Sequence, residues 1–472
     1  MITTGKNTRI NLWVLLPICA LLFIYCILRA SHIAFTHDEA LSYNLVKDGD
    51  YFAYTANNHL LNTWLMALSG AVFGESELSL RLPNVLLFLV YLFFCSRLLQ
   101  KSEKMVFVFF AIPLLFLNPF VIDFFALARG YGLSLGFMAG ALYYFLRCNW
   151  KEQTFRPFKK DFFLSVVFAS LALLSNLSLI NFYISLLGLF IGQYVLLFRR
   201  GEGRGLKNMS RFLLTCVLAF IPLFFSLKRL MILQEANDLY VGASSFDESV
   251  STFIERSAHF VAYPVWFTEI LQSFIIYIFP VGLIITLLRK KYNSPLFKLG
   301  LLVLLILIGF WAEHYLFDTL FPIGRTGVYF IPLFGFFIYY LFVQFTENIR
   351  TGFERMAAFT GILIVTLPLT IHFFKTINLS HTFEWRYEMH TREVVEILSD
   401  QKKTIVLAHN WIFGPSINYY IRSRKLDITS VKIENENYTG DFVYEFQDQL
   451  KGENWLPVRL YEDIGSGLYK KP

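Results

Sequence analysis

Charge is scarce in this sequence. Asp, Glu, Lys and Arg supply 16% of the 472 residues and hydrophobic side chains 56%, with 52 phenylalanines and a mean hydropathy of +0.51. So little polar surface cannot shield that much apolar surface from water, which excludes a soluble globular domain. Cysteine is scarce too. Cys19, Cys26, Cys95, Cys148 and Cys216 all lie in or beside apolar runs, so the polar loops and tail have no material for a disulfide scaffold. No convincing small-residue cleavage site follows the first apolar run, which is longer than the ~7–15 residues of a signal-peptide core and reads as a retained anchor. An internal repeat with matching broken segments, as many transporters show, is absent.

Apolar runs near the roughly 20 residues that cross a bilayer as a helix are plentiful. About eleven spans are predicted, near 10–33, 82–99, 105–119, 129–147, 162–179, 180–198, 211–228, 267–288, 297–317, 327–345 and 356–374. Only 175–181 separates the fifth from the sixth, which predicts a tight hairpin. The run 59–74 is short and polar at its start, and reads as a membrane-surface or partly inserted helix. The predicted fold class is therefore an α-helical polytopic membrane protein, a membrane domain over 1–374 followed by a small α/β domain over 375–472. In that tail "KKTIVLAHN", "DFVYEF" and "PVRLYED" read as strands, and "PSINYYIRSRKL" as a helix with Pro415 near its start. The tail has no nucleotide-binding glycine loop and no metal-ligand spacing, and reads as a lid or packing domain.

Basic residues fall in alternate loops. Lys6 and Arg9, then Arg97, Lys101 and Lys104, then Arg147 to Lys160, Arg199 to Arg211, Arg289 to Lys298, and Arg350 with Arg355 share one side. The opposite loops are poor in them, apart from Lys228, Arg229 and Arg256 in one long loop. The positive-inside rule makes the first side cytoplasmic and predicts an outside location for the tail and for residues 34–81. The net charge of +7 then follows from topology, and nucleic acid is not an expected partner. Asn378-Leu379-Ser380 and Asn437-Tyr438-Thr439 fit a glycosylation acceptor, a pattern short enough to arise by chance.

Three outside segments hold the polar residues that need a reason. Residues 34–81 carry His37, Asp38, Glu39, Asn57, Asn58, His59 and Arg81; residues 118–140 carry Asp123 and Arg129; residues 321–334 carry Arg325. Charges flanked by apolar residues at membrane level usually line a polar cavity. Singly, each has a plainer reading: Glu39 as a solvated loop acid, Arg129 and Arg325 as headgroup anchors. Their common side weakens that reading for the set. Gly132, Gly136 and Gly140, four residues apart, read as a helix-packing face.

At these residues the chain resembles the GT-C membrane glycosyltransferases, with protein O-mannosyltransferases, the lipid A aminoarabinose transferase and the RgtA/B/C/D-like branch as relatives. The likeness rests on "THDEALSYN", "NNHLLNTW", "GESELSLRLPNVL", "NPFVIDFFALARGYGL" and "GRTGVYFIPLF", in that order, and spans roughly 1–375. The chain departs at Leu60 and Leu61, where the family often has two prolines, and at Leu127, where it often has an acid. The resemblance implies an inverting hexosyl- or pentosyl-type transferase of cell-envelope glycan synthesis in the inner membrane. Its donor would be a polyprenyl-phosphate sugar and its acceptor a lipid, glycan or protein.

The roles it implies are specific. Asp38 would take the acceptor's proton, with Glu39 orienting the acceptor or a neighbouring group. Arg129 and Arg325 would hold the donor phosphate, Asn58 and His59 phosphate or sugar, Asp123 sugar hydroxyls, and Tyr131 would line the substrate site. No cofactor is expected. A divalent ion on His37, Asp38, Glu39 and His59 is the lesser alternative. From other classes, a transporter or flippase of a lipid-linked saccharide and a non-catalytic scaffold are the rivals; a scaffold would leave the one-sided clustering of acids and arginines without a reason.

Overall fold

The computed structural model describes residues 6–472 except 100–104, 152–153, 240, 347–350, 402–403, 435–437 and 452–453. Lys101, Lys104, Arg350 and Asn437, named above, lie outside the described residues, as do the side chains of Lys6 and Arg9. The chain runs through α1 (Lys6–His32), α2 (His37–Asp48), α3 (Leu60–Phe73), α4 (Glu77–Leu99), α5 (Met105–Leu115), α6 (Pro119–Phe125), α7 (Gly130–Arg147) and α8 (Phe155–Ser175). It continues with α9 (Ile180–Arg199), α10 (Leu206–Glu235), α11 (Phe246–Ala258), α12 (Val265–Leu288), α13 (Pro295–Phe317), α14 (Phe330–Thr346) and α15 (Gly352–Thr376).

Among the described residues seven helices are long and apolar enough to cross a membrane: α1, α4, α9, α10, α12, α13 and α15; α5 with α6 makes an eighth if the pair is one bent span. Helices α7, α8 and α14 occupy the remaining expected positions. The chain is a multi-pass membrane protein. The expected hairpin at 175–181 is there, built on a 3-10 turn at Leu177–Leu179, and α3 is a short helix of 14 residues.

Two expectations change. The third span, predicted over 105–119, ends as a helix at Leu115, and a short helix not expected from the sequence starts at Pro119 with a bend of 69°. Proline has no N–H to continue the ladder but fits a first helical turn, and Asn118 Oδ1 caps the new helix by accepting from Val121 N at 3.0 Å. The bend carries Asp123 and the Ala128–Arg129 stretch to the ends of α1 and α2. The long loop between α10 and α12 also contains a helix, α11, whose sequence is too polar and too short to read as a span.

The central packing runs through α4, α7 and α8. A Cβ at Gly132 would lie 2.3 Å from the Phe124 carbonyl oxygen, one at Gly136 2.8 Å from that of Leu87, and one at Gly140 2.6 Å from the Phe168 ring. These positions admit only hydrogen, which lets the helices close up. By contrast α12 leaves Trp266, Ile270, Tyr277, Ile284 and Leu288 exposed, as a lipid-facing helix would.

After α15 the chain forms α16 (Thr391–Ser399), β1 (Ile405–His409), α17 (Gly414–Arg424), β2 (Ile428–Lys432), β3 (Phe442–Phe446), β4 (Leu456–Tyr461) and β5 (Ser466–Lys470). The sheet order is β2-β1-β3-β5-β4. Strand β1 pairs in parallel with β2 and β3, and β5 pairs antiparallel with β3 and β4. The three strands and the helix read from the sequence are β1, β3, β4 and α17; β2, β5 and α16 are additions. This unit docks on the membrane helices. Tyr419 stacks on Phe35 with ring centres 3.9 Å apart, the Tyr420 hydroxyl accepts from Phe35 N at 2.8 Å, and Arg392 pairs with Glu77 at 2.9 Å.

Candidate functional site

The stretch Ala34–Glu39 turns the corner between α1 and α2, and one residue shapes it. Glu39 is wholly buried. Its Oε2 accepts from Thr36 N and Thr36 Oγ1, both at 3.0 Å, which closes the first turn of α2. Arg81 grips the same carboxylate with Nε to Oε1 at 2.8 Å and Nη2 to Oε2 at 2.7 Å. The other Arg81 donors go to the carbonyls of Ala30, Ile33 and Ala34 at 2.8–2.9 Å. Ala128 N adds a further bond to Glu39 Oε1 at 2.6 Å. Of the two roles expected of Glu39, orienting the acceptor or a neighbouring group, the contacts present are all to neighbouring groups. A buried carboxylate needs its donors, and Arg81, Thr36 and Ala128 take up both oxygens.

The preceding residue faces the other way. Asp38 Oδ2 lies 3.0 Å from Arg325 Nη1 and 3.3 Å from Arg129 Nη2. Neither contact is an aligned hydrogen bond, so Oδ2 is a buried oxygen held by charge alone. Burial by itself would push this carboxyl up, but Arg129, Arg325, His37 and the Trp385 indole together hold it below the usual carboxylate range. Asp38 is ionised at neutral pH.

Arg129 sits just before α7 and is almost entirely buried. Its Nη1 donates to Asp38 O and Ser42 Oγ at 3.2 Å and to Asn57 O at 3.0 Å, while its Nε has no partner. His59 begins α3 beside it. Gly130 makes that approach possible: a Cβ there would fall 1.9 Å from Ser175 O and 2.7 Å from the His59 side chain. His59 Nδ1 is fixed 3.0 Å from Ser175 O, and its Nε2 is buried with no partner. Burial and the charges of Arg129 and Arg325 hold the imidazole well below its ordinary value. It is therefore neutral, and with Nδ1 donating to the carbonyl, Nε2 is the acceptor. Tyr131 packs on both, its ring centre 4.7 Å from that of His59 and 5.8 Å from the Arg129 guanidinium carbon.

Asp38, His59, Arg129, Tyr131 and Arg325 thus come together. Two other expected residues are placed elsewhere. Asn58 spends its amide on Tyr51 O at 3.2 Å and Ala53 O at 3.0 Å and accepts from Thr63 Oγ1 at 2.8 Å, so it ties down its own loop. Asp123 does not face the site. It pairs with the buried Arg29, and its Oδ2 takes His259 Nε2 at 3.0 Å and Phe383 N at 2.9 Å. Asp123, like Glu39, is the counterpart of buried donors, which is why it is buried at all.

Glu384 and Trp385 adjoin Arg325, and no spacing in the sequence announced them. Trp385 is buried and stacks against Arg325, 5.2 Å from ring centre to guanidinium carbon. Glu384 lies 4.0 Å from Arg325 and 3.8 Å from Arg256; burial outweighs both arginines and pushes its carboxyl up. The one signal was the acid-aromatic run "FEWRYE" just after the last span. The four residues named for a metal are not gathered: Glu39 faces Arg81, and His37 Nδ1 lies 2.7 Å from Ile412 O. Among the described residues no group of three or more His, Cys, Asp or Glu is placed to hold a metal ion.

A polytopic helical membrane body carries a buried acid facing two arginines at the start of α2, with a small sheet domain docked on it. No known family model matches the chain, and no curated protein matches its sequence. By structure it is similar to crystal structures of ArnT from Cupriavidus metallidurans, in the apo state at 11% identity and bound to undecaprenyl phosphate at 10%. Each match has a TM-score of 0.55 and covers 97% of both chains. At that identity the likeness establishes the fold.

Proposed function

We propose that this protein is an inverting membrane glycosyltransferase that moves a sugar from a polyprenyl-phosphate donor to an acceptor outside the inner membrane. The observation that carries this reading is Asp38, an ionised carboxylate whose Oδ2 faces both Arg129 and Arg325 without a directed hydrogen bond. The undecaprenyl phosphate bound by the ArnT structure supports the choice of donor lipid. Two guanidinium groups suit a phosphate better than a single carboxylate oxygen, because each can give it two parallel N–H bonds. The unpaired Arg129 Nε and the lone pair on His59 Nε2 lie beside them.

Donor phosphate draws the arginines away from Asp38. That loss of cationic partners raises the basicity of Oδ2 as the acceptor arrives. The acceptor oxygen then bonds to the anomeric carbon as the bond from that carbon to the phosphate oxygen breaks. The acceptor's proton passes to Asp38, and polyprenyl phosphate leaves with its charge held by Arg129 and Arg325. Tyr131 and Trp385 wall the pocket with aromatic faces. Residues 1–374 would be the transferase body with its N-terminus cytoplasmic, and residues 375–472 an outside domain that closes the site through Glu384 and Trp385.

Purified protein given a synthetic polyprenyl-phosphate sugar and isolated envelope acceptors should transfer the sugar and release polyprenyl phosphate. Movement of the lipid across vesicles with no transfer would overturn the reading in favour of a flippase.

A further inference from the structure

Arg325 meets two acids, and the proposed reaction uses only one of them. Its Nη1 lies 3.0 Å from Asp38 Oδ2, and the same nitrogen lies 4.0 Å from Glu384 Oε2. The other oxygen, Glu384 Oε1, lies 3.8 Å from Arg256 Nε on α11. Gly324, at a φ of +47°, leaves room for this approach: a Cβ there would fall 3.2 Å from Glu384 Oε1. Both ion contacts are beyond hydrogen-bond reach, and the Glu384 side chain is 15% exposed. Glu39 and Asp123 differ, each gripped by donors at 2.6–3.0 Å. An acid held as loosely as Glu384 ties little together, so what it brings to the site is its charge.

An anion beside a phosphate-binding arginine weakens phosphate binding, and it needs a reason. On the reading proposed above, the donor is a phosphodiester with one negative charge. As the acceptor oxygen bonds to the anomeric carbon, the bond from that carbon to the phosphate oxygen breaks and the acceptor's proton goes to Asp38. Polyprenyl phosphate is left as a monoester, with two negative charges above its second ionisation at about pH 6. Total charge is unchanged at that moment, because Asp38 has lost the charge that the phosphate gained. Once Asp38 gives its proton to water, its carboxylate and that of Glu384 both act on the dianion. We infer that Glu384 is a specificity-determining residue that sets the donor diester apart from the product monoester. Coulomb repulsion scales with charge, so Glu384 opposes the product about twice as strongly as the donor. The product is thereby kept from occupying Arg129 and Arg325.

The inference rests on the proposed donor, and binding measurements separate the two. The probes are undecaprenyl phosphate, a monoester, and undecaprenyl methyl phosphate, a diester that carries no sugar. Each is titrated into the purified full chain in the same detergent at pH 8. Glu384→Gln should tighten the diester about threefold and the monoester about tenfold, the square of the first factor. Damage to the fold would weaken both lipids, so a gain cannot come from it. Glu384→Asp keeps the charge and should keep the wild-type ratio of the two affinities. If wild type binds both lipids and Glu384→Gln tightens them equally, tightens neither or weakens them, the inference falls while the donor reading stands. If wild type binds neither lipid, the donor reading falls and the inference with it.

Discussion

Asp38 and Asp123 are both buried carboxylates beside arginine, yet the protein treats them differently. Around Asp123 three elements converge: Arg29 from α1, His259 from the end of α11, and the Phe383 backbone N–H from the segment after α15. The carboxylate is fully used, and Arg29 also donates to Asn378 O at 2.7 Å and His381 O at 2.9 Å, leaving only its Nε unpaired. At Asp38 the acid itself is under-satisfied. Oδ2 meets two guanidinium groups at 3.0 and 3.3 Å without alignment, and unpaired nitrogens of Arg129 and His59 flank it. Saturated acids hold helices and tail together. An unsaturated one, ringed by unused donors, waits for a partner from outside.

Substitutions can break this comparison, and the largest effect belongs to Asp38. Asp38→Asn keeps the shape and removes the proton acceptor. Transfer should fall by roughly two to four orders of magnitude, with the unfolding midpoint within a few degrees of wild type. Equal initial rates at equal donor binding would remove Asp38 from the mechanism.

Glu39→Gln, one residue on, should do the reverse. It leaves Arg81 buried without its counter-charge, an error worth about 3–5 kcal/mol, so yield and thermal midpoint should drop sharply while the rate per folded molecule changes little. Asp123→Asn should behave as Glu39→Gln does. If either variant folded normally and lost transfer, the division into holding and working acids would be wrong.

Arg325→Lys sharpens the comparison further. Arg325 is 29% exposed on its side chain, so folding should tolerate the change. Loss of the planar fork removes a charge-assisted bond worth about 1.5–3 kcal/mol, so kcat/KM should fall roughly tenfold or more. Arg129 has a structural share through Asn57 and Ser42, and its Lys variant should lose stability as well as rate.

The smallest effect is on pH. The folded value of Asp38 lies below the unfolded one. Its ion pairs therefore stabilise the fold above the unfolded value of about 3.9 and stop doing so as pH falls through the lower, folded value. The difference in unfolding midpoint between wild type and Asp38→Asn should stay constant from pH 5 to 8 and shrink only below about pH 4. A difference already changing near pH 6 would mean that the arginines do not dominate this carboxyl.

What the sequence by itself determined is whatever rests on local composition and period. Apolar runs near span length located the membrane helices, the four-residue glycine spacing located the α7 packing face, and short apolar runs located β1, β3 and β4. The acid pair and the three polar segments marked where a site would form. The resemblance singled out Asp38, but local pattern alone could not say which of two adjacent carboxylates faces Arg129 and Arg325. Asp38 and Glu39 differ in direction by about 100° around α2, and the choice is made by Arg81, 42 residues away on α4. Nor could it separate Asp123 from the site, because its partners Arg29, His259 and Phe383 come from three distant stretches. Trp385 and Glu384 joined the site only when the tail folded back over α1 and α2. Burial set those roles: a charge removed from water must be matched by whatever donors the tertiary fold brings to it, and that match is a property of the assembled helices.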